Sequence, residues 1–458
     1  MERSQIIVEN LHIGFNGGLN KTYKQRIDHL NKLEKVIRQN EKYIVGAIQN
    51  DFQKSDFESL LTELLPFYLE LKHFKKKLKG YMKKEEVSTP FVLYPSSGEI
   101  HYEPKGVVLI IGAWNYPVNL TLIPLIGAIA AGNTVLLKPS EIASHTSSMI
   151  ARILNQTFDE RIVKVVEGGA EITTEYLQYK FDHIFYTGST AVGKIIYTQA
   201  AKNLTPVTLE LGGKSPVVVA AKTNLEKTVK RILWGKYVNA GQTCVAPDYV
   251  FFPRSKRAEL IPLIAKYVQL FDLENTAQGT HIINEKHFDR LNAYLSDGNN
   301  YLYKGNVDKE NLWMSLHVVE VDSLEHPLMK EEIFGPILPV IFYDSKDEFY
   351  DIYAENPNPL SFYIFSKDTK FTNFFVDNFA AGGVLVNDCL MHLGHENLPF
   401  GGRGSSGFGN YHGFASFTCF SHTKSVMHQK FWLKPFYRYP KYSAKRLRFL
   451  KKIMKWVG

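Results

Sequence analysis

Residues 106–137 read GVVLIIGAWNYPVNLTLIPLIGAIAAGNTVLL, 32 residues without a charged side chain. A run this long invites a transmembrane reading, because about 20 apolar residues cross a bilayer as a helix. Asn115, Pro117, Asn119, Pro124, Gly127, Gly132 and Asn133 interrupt it. The run separates instead into a β-branched strand at 107–111, a helical segment at 120–131, a Gly132-Asn133 turn and a second strand at 134–137. Strand, helix and strand in about 30 residues make a βαβ unit, and strands this apolar are covered on both faces.

The pattern repeats outward. Strands are expected at 162–167, 183–186 and 207–211, with helices at 172–177 and 191–201. A second unit follows, with strands at 217–219, 250–252, 318–321, 337–341, 362–364 and 383–386. Its helices are read at 225–237, 257–267, 348–355 and 371–378. The polar stretch 297–308 reads as a surface loop. On the amino side, 21–51 and 57–79 have helical spacing. Residues 82–103, with Pro90, Pro95 and Ser96-Ser97-Gly98, read as two extended strands joined by a turn. The fold class is α/β: two doubly wound Rossmann-like α/β domains in tandem, with a small bridging β hairpin. Ligands are expected at the carboxyl ends of the strands.

The chain has 458 residues, 45% apolar and 22% charged, with 32 Gly and 20 Pro, which excludes collagen-like and disordered classes. Three cysteines, Cys244, Cys389 and Cys419, make no disulfide framework and suit a reducing cytoplasm. No basic region followed by an apolar core opens the chain, so no signal peptide is expected. The formal charge is +8, yet residues 424–458 hold eleven Lys or Arg and no acid, which leaves 43 basic and 46 acidic side chains in the first 423 residues. An electrostatic partner therefore belongs to the tail.

Five groups could carry chemistry. Cys244, in NAGQTCVAP (239–247), has small and polar neighbours, unlike a core cysteine; a buried inert thiol and a reactive one both fit. Glu210, in TLELGGKSP (208–216), ends an apolar strand before two glycines; burial would raise its pKa towards a working base, and a turn-capping carboxylate is the alternative. Asn115 follows the 107–111 strand before Tyr116-Pro117, as a turn former or as an N–H donor to an oxyanion. The segment FYTGSTAVG (185–193) runs from strand to helix with Gly188 and Gly193 five apart, lacking the middle glycine of a dinucleotide fingerprint. Its Ser189 and helix amino terminus could still meet a phosphate. Lys138 and Glu141, after the 134–137 strand, suit ribose or phosphate, and Glu141 favours a bare 2′-hydroxyl.

These segments, with EEIFGP (331–336) and the stretch from Leu398 to Gly413, occur in an order that resembles the aldehyde dehydrogenase superfamily over roughly residues 20–425, closest to its class 3, fatty aldehyde dehydrogenase-like branch. The resemblance implies Cys244 as nucleophile, Asn115 with the Cys244 backbone N–H as oxyanion donors, and Glu210 as the base that activates water on a thioester. It implies Trp114, Lys138, Glu141, Gly188, Ser189, Gly193, Glu332 and Phe334 as cofactor contacts, NAD as cofactor with NADP also open, and no metal. It assigns 1–83 and 105–209 to an NAD(P)-binding domain, 210–385 to a catalytic domain, and 84–104 with 386–424 to bridging segments of a homodimer. Arg403 and Asn410 depart from the family pattern, which bears on loop packing and the pocket rim.

The remaining segment, 425–458, is a basic amphipathic tail. Phe431, Trp432, Leu433, Phe436, Tyr437 and Tyr439 precede a helix at 444–457, with Leu447, Leu450, Met454 and Val457 on one face. It can pack on its own acidic body or make peripheral contact with anionic membrane, in which case a long-chain aldehyde becomes a sensible substrate. No nucleic-acid-binding fold accompanies the charge. The expected function is NAD(P)-dependent oxidation of an aldehyde, long-chain or aromatic, to a carboxylic acid. The alternatives are a coenzyme A-dependent acyl-transferring relative and a non-catalytic binding protein on the same scaffold.

Overall fold

In the computed structural model, which describes residues 2–277, 279–432 and 438–457, Val107–Ile111 is a fully buried central strand. It pairs in parallel with Thr134–Lys138 on one side and His183–Gly188 on the other. Val163–Val165 continues the first edge and Val207–Leu211 the second, with Gly407–Phe408 added antiparallel outside it. The chain thus winds out to one edge, returns to the centre and winds out to the other. The point of reversal lies between Val107–Ile111 and His183–Gly188, and such a switch opens a crevice at the strands' carboxyl ends.

The uncharged helix of the quoted stretch runs from Asn119 to Ala131 and is buried along almost its whole length. A helix apolar on every side belongs in a core. Its unpaired amino-terminal N–H groups find a carboxylate 55 residues earlier: Val118 and Asn119 donate to Glu63 Oε2 at 3.1 and 2.9 Å. It ends at Gly132, φ +100°, in the left-handed cap that glycine favours. Among the described residues no helix is long and apolar enough to cross a membrane.

The second sheet has seven strands, in the order Asn300–Tyr303, His317–Glu320, Ile337–Tyr343, Tyr249–Pro253, Pro216–Val219, Ser361–Phe365 and Gly383–Val386. The stretch 297–308 is therefore not all loop: Asn300–Tyr303 is a polar edge strand, antiparallel to its neighbour, and edge strands tolerate such composition. The helix expected over 21–51 breaks at Asn40 into Tyr23–Gln39 and Glu41–Phe52. The helix over 57–79 contains a π-helical turn at Leu60–Leu64.

Residues 2–81 and 104–421 form one unit, and 82–103 with the chain from 422 onward form another. Residues 386–421, read from sequence as bridging, go with the larger unit because Gly407–Phe408 joins its first sheet and Gly127 closes on Ser416 of the Gly413–Cys419 helix. The smaller unit holds a three-stranded sheet in the order Glu85–Val87, Ser97–Pro104, Ser421–His428, and the helix Ala444–Val457. Leu433, Phe436 and Tyr437 of the tail lie outside the described residues, as does the side chain of Val457.

Candidate active site

The loop that presents Cys244 is built on an unusual backbone. Asn239 (φ 55°), Ala240 (φ 51°) and Gly241 (φ 72°) are left-handed in succession. Glycine adopts this freely and asparagine tolerates it, whereas alanine gives up roughly 1–2 kcal/mol. The small residues around Cys244 thus serve a forced path. A Cβ on Gly241 would also stand 2.3 Å from the Gly335 carbonyl oxygen, so the loop is wedged against the 331–336 segment.

Hydrogen bonds hold that path. The Asn239 backbone N–H donates to Glu58 Oε1 at 2.6 Å, and Gln242 Nε2 donates to the His281 carbonyl at 3.0 Å. Asn115 Nδ2 donates to the Gln242 carbonyl at 3.0 Å, and Asn239 Nδ2 returns a bond to the Asn115 carbonyl at 2.8 Å. The Tyr116 hydroxyl pairs with Thr243 Oγ1 at 2.6 Å. Two residues after the central strand are thereby locked to two residues before the sulfur.

Glu210 lies buried near the carboxyl end of Val207–Leu211, paired across the ladder with Gly407. Neither of its carboxylate oxygens has a hydrogen-bond partner among the described residues. Burial pushes its pKa well above the usual carboxylate value. The Cys244 thiol is also pushed up, first by burial and then by the charges of Glu332 and Glu210.

Cys244 lines a cavity of about 270 Å³ whose walls include Leu61, Leu65, Leu69, Trp234, Met391 and Tyr411. Asn115 and Glu210 are not in that wall; Asn115 reaches the cysteine loop from the first sheet. Arg403 and Asn410 are exposed and do not line it either. The second sheet departs from the expected placement: Cys244 and the 331–336 segment precede strands Tyr249–Pro253 and Ile337–Tyr343, at their amino ends. The chain passes from Leu211 to Pro216 in four residues, which brings those amino ends to the carboxyl edge of the first sheet.

The other candidate residues gather at that edge. Lys138 Nζ, buried, donates to Glu141 Oε2 at 2.9 Å. Ser189 caps the helix Thr190–Lys202, its Oγ accepting from Val192 N–H. A Cβ on Gly188 would strike the Tyr186 hydroxyl at 2.2 Å, and one on Gly193 would meet Leu211 at 2.8 Å, so strand and helix approach closely. Next to Leu211, a Cβ on Gly212 would stand 2.0 Å from Glu332 Oε2, and the Gly213 N–H donates to that carboxylate. Burial and Asp248 raise the Glu332 pKa to about 8. The Trp114 ring meets Phe334 edge-on at 5.3 Å and His287 at 4.9 Å. A glycine cradle, a helix amino terminus, a lysine–carboxylate pair and aromatic rings at a sheet's switch point fit a dinucleotide.

Other residues at the site carry no motif. Lys214 Nζ donates to Asp248 Oδ2 at 2.6 Å and to the Glu331 carbonyl at 2.9 Å. Asp248 Oδ1 accepts from Ile333 N–H at 3.1 Å and faces Lys236 Nζ at 3.7 Å. This buried network ties the cysteine loop to the 331–336 segment. Lys214 stands inside the Glu210 signature and Asp248 just past the Cys244 signature; charges in such apolar company were the available signal. Glu58, Tyr116, Asn239 and Gln242 offered none beyond their positions.

Comparison with known proteins agrees with this geometry. The aldehyde dehydrogenase family model matches residues 14–426, and the chain belongs to that family. It is an NAD(P)-dependent enzyme that oxidises aldehydes. The chain is 41% identical over 435 residues to the 4,4'-diaponeurosporen-aldehyde dehydrogenase of Staphylococcus aureus, covering 94% of this chain and 95% of the relative. It is 41% identical over 424 residues to the dimeric NADP-preferring aldehyde dehydrogenase of Rattus norvegicus, covering 92% and 93%. The solved substrate-bound structure of Staphylococcus aureus AldH superimposes with a TM-score of 0.94 at 38% identity, over 98% of this chain and 99% of that one.

Proposed function

We propose that the enzyme oxidises an apolar aldehyde, long-chain or aromatic, to the carboxylic acid through a thioester on Cys244. Cys244 gives up its thiol proton to solvent, Sγ bonds to the aldehyde carbon and the carbonyl pair moves onto oxygen, giving the thiohemiacetal oxyanion. The Cys244 backbone N–H and the Asn115 amide donate to that oxyanion. A bound NAD(P)⁺ would supply the acceptor for the hydride on that carbon. Glu210 then takes a proton from water, the hydroxide adds to the thioester, and the C–S bond breaks to release acid and regenerate the thiol. Trp114, Glu332 and Phe334 would hold the nicotinamide end of that cofactor, and Lys138, Glu141, Gly188, Ser189 and Gly193 its adenosine and phosphate end.

The observation that carries this reading is a cavity-lining Cys244 together with a buried Glu210 whose carboxylate has no partner among the described residues. An unpaired buried carboxylate is costly, and a water-activating role explains its retention. The leucine-rich cavity supports an apolar substrate. Glu141 beside Lys138 favours NAD, while the rat relative's NADP preference keeps NADP open. That relative's description as dimeric supports a homodimer. We assign 1–83 and 105–209 to cofactor binding and 210–385 to catalysis. The enzyme is cytoplasmic in this reading, with the basic tail in peripheral contact with anionic membrane.

A kinetic panel from short to long aliphatic aldehydes plus benzaldehyde, with NAD and NADP, tests it. kcat/KM should climb with chain length, and added coenzyme A should leave acid as the product. Preference for the shortest aldehyde, or an acyl-coenzyme A product, would overturn the substrate or the acceptor.

A further inference from the structure

Against the Trp114-Asn115-Tyr116 tripeptide lies a buried cation that the reaction above does not use. The helix Glu41–Phe52 ends in a left-handed cap at Gln53, φ 53°, and the next residue, Lys54, is fully buried. Its Nζ lies 5.0 Å from the centre of the Phe52 ring and 4.8 Å from that of Tyr116. Glu63 Oε1, equally buried, stands 3.8 Å away. Neither atom makes a hydrogen bond to a described residue. The other Glu63 oxygen takes the Val118 and Asn119 N–H groups, just past the tripeptide. Burial lowers the Lys54 pKa, and the charges of Glu63 and Glu58 oppose that fall.

An unbranched apolar side chain would fill this space without the cost of a buried ammonium, so packing alone does not account for a lysine. What the charge adds is attraction to ring faces, which is stronger where water is excluded. Both rings lead to the site. The Tyr116 hydroxyl pairs with Thr243, the residue before Cys244, at 2.6 Å. The Phe52 ring stacks on that of Trp114, centres 6.4 Å apart. Asn115 sits between these two anchored neighbours and donates to the Gln242 carbonyl.

We propose that Lys54 is a positioning residue for aldehyde oxidation: its ammonium, held between the Phe52 and Tyr116 rings and paired with Glu63, fixes the 114–116 tripeptide so that the Asn115 amide is aimed at the carbonyl on Cys244. Lys54 does not line the cavity and acts through Asn115. The proposal rests on the oxyanion role given to Asn115 above. A misplacement of about 1 Å at such a group costs up to about 100-fold in rate.

The test is single-turnover NADH formation by the full-length enzyme at saturating NAD and octanal. Lys54→Met should slow it about tenfold or more. The dissociation constant for NAD and the rate of Cys244 alkylation by iodoacetamide should stay within about twofold of wild type, because alkylation needs the thiolate and not the oxyanion donor. In an Asn115→Ala background the same substitution should change the rate by less than about twofold, since the group it aims is gone. Should Lys54→Met fail to fold with Glu63 left unpaired, K54M/E63Q removes both charges, keeps an acceptor for the Val118 and Asn119 N–H groups, and should show the same pattern. A wild-type rate in the Lys54 variant beside a slow Asn115→Ala would overturn the role of Lys54 and leave the mechanism standing. A wild-type rate in Asn115→Ala would overturn the oxyanion assignment and this proposal with it. Parallel losses of NAD binding and alkylation, or a full loss on top of Asn115→Ala, would make Lys54 a general support of the fold and also overturn the proposal.

Discussion

The Asn115 side chain donates to the Gln242 carbonyl at 3.0 Å, joining the end of the central strand of the first sheet to a residue two positions before Cys244. One Nδ2 hydrogen thus holds the loop, and in the proposed mechanism the second donates to the substrate oxygen. Asn115→Ala should lower kcat about 10²–10³-fold, the size of a lost oxyanion donor. Single-turnover NADH formation measures this; a change confined to the aldehyde KM would contradict it.

Glu210 should set the pH profile of deacylation. Its pKa is raised by burial, so below that pKa the carboxyl is protonated and cannot take water's proton. kcat should therefore rise with pH through the elevated pKa. Glu210→Gln should remove that limb and lower kcat about 10²–10⁴-fold. Steady-state kcat against pH for both proteins decides it; an unchanged limb in the variant assigns the titration elsewhere.

Glu332 should restrain the thiol. Its charge adds to the burial that raises the Cys244 pKa, and it ionises near its own pKa of about 8. Glu332→Gln should speed iodoacetamide alkylation of Cys244 at about pH 9 roughly three- to tenfold, the effect of half to one pKa unit. Peptide mass spectrometry reads the site. Equal or slower alkylation would mean that the charge does not reach the sulfur.

Gly212 is required by the approach of Glu332: an added Cβ would stand 2.0 Å from Oε2. Gly212→Ala should displace that carboxylate and raise the KM for NAD, with the fold intact by circular dichroism. Unaltered NAD kinetics would remove Glu332 from the cofactor site.

The parts of this site that sequence reveals are those encoded locally. The 107–111 strand, its turn and the 134–138 strand form a contiguous pattern, and Cys244 and Glu210 stand out because their neighbours suit neither core nor surface. What escapes is set by pairings between distant segments. Nothing near Glu63 signals that it caps a helix starting at Asn119, and nothing near Asp248 signals Lys214 or Lys236. Leu61, Leu65 and Leu69 have the spacing of a core helix, yet they line the cavity beside a π turn that periodicity does not encode. The amino-end position of Cys244 depends on how two sheets abut, which no single βαβ unit specifies.

The Lys214–Asp248–Lys236 network should matter for stability as well as for the loop. Removing the Asp248 charge leaves two buried lysines without their carboxylate, at a cost of about 3–5 kcal/mol. Asp248→Asn should therefore lower the denaturation midpoint clearly. A midpoint within error of wild type would mean that water or side-chain relocation replaces the lost charge.

The most direct test of the mechanism is to mix Glu210→Gln with NAD and a long-chain aldehyde, quench, and weigh the Cys244 peptide. With hydrolysis disabled, one NADH should form per active site, and that peptide should gain the mass of the acyl group. Continued turnover at the wild-type rate with unmodified Cys244, or an acyl group on another residue, would contradict the account.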